Sequence, residues 1–296
     1  MSKFGVMVMG PAGAGKTTFC TAMMQHLSNT RRSFIYVNLD PAAEQFGFEP
    51  DVDIKDLVSL EDVMEEMDLG PNGGLIFCFE YLLENLDFLT NKLETVGEDY
   101  LIVFDMPGQI ELYTHVPILP VLTRHLREGS LNISLCAAYL LEATFIADRA
   151  KFFAGTLSAM SAMLMLGIPH VNILSKMDLV KGTVARRELR RFIQVDTELL
   201  DDDPTMHTAG GFTFADNDEK EDPAGAESIL AGASFAKLNH AVGRLIDDFS
   251  LVSFLQLDAQ DEDSIGGIVS YIDDAIQFHE AQEPREPKEL EPEFEE

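Results

Sequence analysis

The stretch Gly10-Pro11-Ala12-Gly13-Ala14-Gly15-Lys16-Thr17 constrains this chain more than any other. It fits G-x-x-x-x-G-K-[ST], a pattern expected by chance in on the order of 1% of chains of this length. Its surroundings fit as well: the apolar run Phe4 to Met9 leads into it, and Lys16 to Ser28 has the pattern of a helix. Gly13 and Gly15 let the backbone curl so that successive N–H groups, including that of Ala14, point inward at phosphate oxygens. The positive end of the following helix dipole adds to that field. Lys16 is expected at the β- and γ-phosphates, the Thr17 hydroxyl on Mg²⁺, and Thr18 at the α-phosphate.

The apolar runs Phe34 to Leu39, Tyr100 to Phe104, Ile133 to Leu141, His170 to Leu174 and Val252 to Leu257 alternate with helical patterns. Helices are predicted over Ser59 to Met67, with Ser59 as N-cap, over Leu75 to Val96 after a break at Leu69 to Gly74, and over Phe145 to Leu166. Fully apolar strands between helices predict an α/β fold, a mostly parallel sheet with helices on both faces. A helix is predicted over Ala233 to Phe249, with Phe235, Leu238, Val242, Leu245, Ile246 and Phe249 on one face. A last helix carries the stripe Ile265, Ile268, Val269, Ile272 and Ile276. The acidic segment from about 196 to 232 reads as a mobile insertion, and residues 280–296, rich in Glu and Pro, as a disordered tail.

Charge narrows the chemistry. With 21 Lys+Arg against 51 Asp+Glu, the formal net charge is −30. That excludes a broad basic face for nucleic acid or for an anionic membrane, while leaving room for one small basic pocket. Three scattered cysteines, Cys20, Cys78 and Cys136, give no disulfide framework and no cysteine zinc site, and they fit a reducing compartment. The longest candidate span, Phe152 to Ile168, is rich in Ala, Ser, Gly and Met and reads as a buried helix. The N-terminus lacks a signal-peptide pattern, so a soluble intracellular protein is expected.

Two further elements extend the phosphate loop. The strand Leu101 to Phe104 ends in Asp105, a carboxylate where such enzymes hold Mg²⁺ directly or through water. Asp105-Met106-Pro107-Gly108 then fits D-x-x-G, whose Gly N–H senses the γ-phosphate in GTPases. Gln109 falls where a GTPase positions its attacking water. Downstream, Ser175-Lys176-Met177-Asp178 resembles the [NTS]-K-x-D guanine motif at a strand end. The Asp178 carboxylate would accept from guanine N1–H and the 2-amino group, donors that adenine does not offer in that pattern. The Lys176 stem would stack on the base. Lys-x-Asp alone is common on surfaces; its order after the two phosphate motifs gives it weight. Ser175 in place of the usual Asn removes one amide.

Gly70-Pro71-Asn72, lying between Asp40 and Asp105, resembles the signature insertion of the GPN-loop GTPases, and Asn38-Leu39-Asp40-Pro41-Ala42 fits the same pattern. The resemblance spans roughly residues 3 to 278. It implies a P-loop NTPase G domain over 1–279 with a helical GPN insertion at about 50–98, GTP and Mg²⁺ as ligands, and hydrolysis at a dimer interface. By the same resemblance Asp40 helps bind Mg²⁺ water or orients the nucleophile, and the GPN loop reaches the partner's nucleotide, where Asn72 supplies an amide to phosphate or water. The partner implied is a second GPN-loop paralogue or another copy of the chain. The role implied is assembly and nuclear import of RNA polymerase II, through its subunits, with a cytoplasmic protein that shuttles to the nucleus. The catalytic set expected is Asp40, Asp105, Gln109 and Asn72, with Thr17, Asp40 and Asp105 at the metal. Two departures stand out: Met106 replaces an expected Thr, and Pro11 and Ala12 occupy the stretch where MinD-like relatives carry an extra lysine. A small-molecule or polynucleotide kinase would share the phosphate loop but needs a basic lid, and the candidate lid segments here are acidic. A nucleotide-binding scaffold without turnover is the other competing reading.

Overall fold

The computed structural model describes residues 3–97, 99–114, 117–182, 184–201, 238, 241–249 and 252–281. Seven strands form one sheet: β1 (Lys3–Met9), β2 (Phe34–Asn38), β3 (Val52–Asp53), β4 (Leu101–Asp105), β5 (Ile133–Glu142), β6 (His170–Ser175) and β7 (Phe254–Gln256). Their order is β3-β2-β4-β1-β5-β6-β7, and every pair is parallel. The apolar runs produce this because both faces are covered and each strand is inside on both sides. Along β1 the side chains alternate between two cores. Val6 and Val8 pack with α1 (Lys16–Asn29) and with the C-terminal helix Glu262–Ala275, whereas Met7 and Met9 pack on the opposite face. The same split divides Leu101 and Val103 from Ile102 and Phe104 on β4.

The chain leaves β1 for β2 on one side and returns to β5 on the other. The carboxyl end of β1 is therefore a topological switch point, where parallel sheets leave a crevice for ligands. Gly10, Asp40 and Asp105 all lie at that end.

Helices α2 (Leu60–Met67), α3 (Pro71–Glu84), α4 (Asp87–Glu94), α5 (Glu111–Thr114) and α6 (Ile118–Arg127) follow in order, with α2, α3, α4 and α6 filling the Met7 face. The single helix predicted over Leu75 to Val96 is two helices. Asn85 ends the first: its backbone N–H donates to Tyr81 and Leu82 carbonyls, and its side-chain amide also takes the Tyr81 carbonyl. The local hydrogen bonds of Asn compete with helix propagation. The predicted break at Leu69 to Gly74 is also shorter than expected. Gly70 is the N-cap and Pro71 the first helical residue, where the missing N–H costs nothing. Gly73 and Gly74 lie inside α3. A Cβ on Gly74 would sit 2.9 Å from Leu60 Cδ1 and 3.2 Å from Met64 Cγ, so that glycine is what lets α2 and α3 touch.

Helix α7 (Arg149–Leu166) starts later than predicted. Asp148 caps it through Lys151 N–H, and a short 3₁₀ turn at Ala143–Ala147 precedes it. Phe152, Phe153, Ala159 and Met160 are buried, as expected of a core helix, and no described helix is long and apolar enough to cross a membrane. Short helices α8 (Arg186–Ile193) and α9 (Glu198–Asp201) had no clear sequence signal. At the start of the segment expected to be a mobile insertion, Leu199 and Leu200 are buried in the α7 core. The remainder of that segment falls outside the described residues. Residues 241–249 are helical, and here the predicted face needs correction. Ile246 is buried with Val242 and Phe249 against it, but Leu238 and Leu245 are exposed. Phe235 lies outside the described residues. Of the tail expected to be disordered, residues 280 and 281 belong to the turn of helix Phe278–Ala281, with Phe278 edge-on to Phe4, and the rest lies outside the described residues.

The C-terminal helix is tied to the entry of β2. Arg32 places Nη1 2.8 and 2.7 Å from the two carboxylate oxygens of Asp273, and its guanidinium lies 3.8 Å from the centre of the Phe278 ring. Both charges are largely out of solvent, with side-chain exposures of 14% and 8%. Removing one member of such a pair leaves an uncompensated buried charge. Asp273→Ala is expected to lower unfolding free energy by about 3 kcal/mol, read as a lower urea midpoint at unchanged m-value.

Candidate nucleotide site

The site grows from the end of β1. Gly10 has φ +137°, and a Cβ there would lie 2.3 Å from the Leu140 carbonyl oxygen on β5, so the backbone can turn at this point only without a side chain. Gly13 and Gly15 also have positive φ, +80° and +84°, and Gly15 is the left-handed N-cap of α1. The result is a tightly turned loop over a helix N-terminus, within which the Ala14 N–H donates to the Pro11 carbonyl at 3.2 Å and not into the expected phosphate position.

Lys16 is 8% exposed and its Nζ lies 3.4 Å from the Pro11 carbonyl of its own loop. Burial lowers its pKa, while the charges of Asp105 and Asp40 act against that shift. Thr17 Oγ1 donates to Asp105 Oδ2 at 2.8 Å, which joins the start of α1 to the end of β4. Thr18 is exposed. Asp105 is 1% exposed. Burial raises its pKa; the bonds from Thr17 and Tyr36 and the Lys16 charge oppose the rise.

Asp40 follows β2, the neighbour of β4. Its Oδ1 accepts from Ala42 N–H at 3.0 Å, and burial raises its pKa too. The turn that carries it is built by Asn38, fully buried, whose side chain accepts from Asp40 N–H, donates to the Asp40 carbonyl and donates to Asp53 Oδ1 at 2.8 Å.

The D-x-x-G segment lies against the phosphate loop. A Cβ on Gly108 would come within 2.8 Å of Ala12 Cα, so only glycine permits this approach. Met106 is fully buried in the core, and its N–H donates to the Val8 carbonyl at 3.1 Å. An apolar residue therefore suits the position where Thr was expected. The Tyr113 hydroxyl donates to the Pro107 carbonyl and pins the segment from below. Gln109 is half-buried and its Oε1 has no hydrogen-bond partner.

The base motif stands at the end of β6. Ser175 is 2% exposed, and its hydroxyl lies 2.7 Å from the Ala14 carbonyl and 3.3 Å from the Leu141 carbonyl. It thus ties the base loop to the phosphate loop instead of facing a base. Lys176 has φ +57° and pairs through Nζ with Glu142 Oε2 at 3.2 Å. Asp178 is exposed in the turn Met177–Leu179. The loop after β7 closes on it: Met177 N–H donates to the Leu257 carbonyl, and Lys181 pairs with Asp258. The structure thus places Gly13 to Thr17, Asp40, Asp105 and Gly108 around one crevice. Asn72 is the exception: it is exposed at the second helical position of α3, and no hydrogen bond of the phosphate loop, Asp40 or Asp105 reaches it. Tyr36, Asn38 and Asp258 were absent from the candidate set. Asn38 sits two residues before Asp40 in a polar position ending an apolar strand, which was the available signal.

These residues fit Mg²⁺. Asp105 Oδ1 is buried with no hydrogen-bond partner, an expensive state for a carboxylate unless a cation or its water completes it. Thr17 donates its proton to Oδ2 and so keeps its lone pairs for a hard cation. Among the described residues no cluster of three or more His, Cys, Asp or Glu exists. That suits a cation held by a few protein oxygens together with phosphates and water.

A strand, a glycine loop and a helix, with a buried carboxylate on the adjacent parallel strand, define a P-loop nucleoside triphosphatase. A family model described as "conserved hypothetical ATP binding protein" matches residues 8–278. Curated proteins named GPN-loop GTPase 3 are similar over nearly the whole length. The one from Aspergillus fumigatus is 67% identical over 288 residues, covering 97% of this chain and 96% of its own. That from Saccharomyces cerevisiae is 50% identical over 287 residues, covering 97% of each. A crystal structure of a GTPase in apo form from Pyrococcus abyssi superposes with a TM-score of 0.66 at 21% identity, covering 92% of this chain and 97% of the other, a likeness of fold. The chain belongs to the GPN-loop GTPase family, type 3, and is a GTP-binding GTPase.

The raised pKa of Asp105 has a sign. The folded protein holds the proton more tightly than the unfolded chain, so above the unfolded value of 3.8 folding carries a cost that grows until pH passes the raised value. Asp105→Asn removes that cost. The nucleotide-free variant is expected to melt higher than wild type at pH 7, by about 2–4 °C per kcal/mol relieved, with the gap closing as the solution is acidified. A calorimetric pH series checks this, and the same variant should lose its response to Mg²⁺.

Proposed function

We propose that this chain is a Mg²⁺-dependent GTP switch whose hydrolysis is completed across an interface between two G domains. The observation that carries the metal-dependent part is the Asp105 carboxylate, with Oδ2 held by Thr17 and Oδ1 buried without a partner. In this reading the N–H groups of Gly13 and Gly15, that of Ala14 once it leaves the Pro11 carbonyl, and the Lys16 ammonium hold the β- and γ-phosphates, and Thr18 lies at the α-phosphate. Lys16 gives up its contact with the Pro11 carbonyl to do so. Thr17, Asp105 and Asp40 hold Mg²⁺ directly or through water; bound there, the ion neutralises charge on the phosphates. Gln109 orients the attacking water with its free Oε1, and the Gly108 N–H contacts the γ-phosphate. When that phosphate leaves, the segment resting on Ala12 loses its partner and can shift.

The base end reads guanine through Asp178 and stacks it on the Lys176 stem. Asp178→Asn is expected to move preference from GTP to xanthosine triphosphate, because xanthine presents an oxygen where guanine has an amine and the amide can donate to it. Competition binding with both nucleotides tests the assignment; an unchanged preference for GTP removes Asp178 as the reader. A nucleotide panel with phosphate release also separates GTP hydrolysis from ATP use with an acceptor.

Asn72 belongs to this proposal by resemblance, and its exposed place on α3 leaves its amide free for a neighbour. Asn72→Ala should leave GTP binding nearly intact and slow turnover about 10²–10³-fold if the amide stabilises developing charge. A dimer pairing an Asn72→Ala subunit with a Lys16→Ala subunit keeps one intact loop facing one intact nucleotide site, and should regain up to about half the activity. Mixtures that stay at the sum of the two mutants would mean that the loop acts in cis or that the chain pairs with a different paralogue. Repeating the mixture with a second GPN-loop protein decides between these. The resemblance further supports a role in assembly and nuclear import of RNA polymerase II by a cytoplasmic protein that shuttles to the nucleus. Co-purification of polymerase subunits and a second GPN-loop paralogue from native extract tests the partners.

A further inference from the structure

Two hydroxyls meet on one oxygen of Asp105. Thr17 Oγ1 reaches Oδ2 at 2.8 Å from α1, and the Tyr36 hydroxyl reaches the same oxygen at 3.1 Å from β2. Tyr36 and Asp105 lie on neighbouring parallel strands. Tyr36 pairs with Val103 and Asn38 with Asp105, so the phenol spans two positions diagonally towards the strand end.

Tyr36 is 1% exposed and has no freedom of its own. Its N–H donates to Asp51 Oδ2 at 2.8 Å, its carbonyl accepts from Asp51 N–H at 2.9 Å, and its ring lies edge-on to Phe46 with centres 6.1 Å apart. A carboxylate torsion is a soft rotor, broad and nearly two-fold. One hydrogen bond from Thr17 leaves the carboxylate plane free to swing about it. A second bond, from a different and rigid element, fixes that plane. With both donors on Oδ2, the other oxygen is left buried without a hydrogen-bond partner.

We propose that Tyr36 is a positioning residue for the metal carboxylate: its hydroxyl locks Asp105 so that Oδ1 is presented to the cation beside the phosphate loop. The proposal rests on the Mg²⁺ reading of the site given above. A ring alone would fill the space equally well; what a phenylalanine lacks is the hydroxyl, and a buried hydroxyl is tolerated only when bonded.

Tyr36→Phe keeps the ring and removes that bond. The readout is binding of a fluorescent GDP analogue during a Mg²⁺ titration, which needs no turnover. Tyr36→Phe is expected to raise the Mg²⁺ concentration at the midpoint roughly tenfold, the size of one lost hydrogen bond to a charged group, while affinity in EDTA stays at the wild-type value. Phe46→Leu serves as the packing control: it loosens the ring contact, keeps the hydroxyl and should leave the midpoint in place. An unchanged midpoint for Tyr36→Phe overturns the proposal, and so does an equal shift for Phe46→Leu, which would make the effect one of packing. If wild-type binding ignores Mg²⁺ altogether, the metal reading fails and takes this inference with it.

Discussion

A carboxylate sealed from water is the constraint on which the top of this sheet depends. Asp105 is 1% exposed, and an ion in that state must be surrounded by donors or cations. The neighbouring elements supply them: α1 brings Thr17 and Lys16, and β2 brings Tyr36. These groups can converge only because β4 lies directly between β1 and β2 in a parallel register that aligns the strand ends. Fold and site are therefore one arrangement. The parallel order makes the crevice, and the crevice gives the buried charge its partners.

A similar economy joins the two ends of the nucleotide crevice. The Ser175 hydroxyl bonds the Ala14 carbonyl, and Gly108 rests on Ala12. The phosphate loop is thus gripped by the base loop on one side and by the sensing segment on the other.

Much of this was legible in the sequence because the governing signals are local. The glycines at 10, 13 and 15 must be glycines for reasons of φ or close approach. The apolar runs must be inside on both faces, and Asp105 ends such a run. The failures were of two kinds. Asn85 splits a helix by hydrogen bonds that compete over four residues, against the apolar pattern Leu75 to Val96 that predicted continuity. Gly73 and Gly74 read as a breaker, yet both lie inside α3, and close packing against Leu60 reverses the meaning of Gly74. Ser175 and Tyr36 could not be assigned from sequence at all, since their partners are Ala14 and Asp105, 161 and 69 positions away. The base motif drew attention to Ser175 as a position lacking the usual amide, and the structure gives its hydroxyl to the Ala14 carbonyl.

The strand order also says something about how such a chain comes to exist. β1 is made first but lies in the middle of the sheet, and its two neighbours arrive late: Lys3 is paired with Ile133, about 130 residues further on. At ordinary rates of synthesis that separation is on the order of ten seconds. Until β4 is made, the segment Val6 to Met9, wholly apolar and β-forming, has neither edge covered, and one edge stays open until β5 follows. The feature that places Gly10 at the centre of the crevice therefore makes the newborn chain depend on something else to shield its first strand, and it ties the yield of folded protein to how quickly β4 and β5 can be delivered.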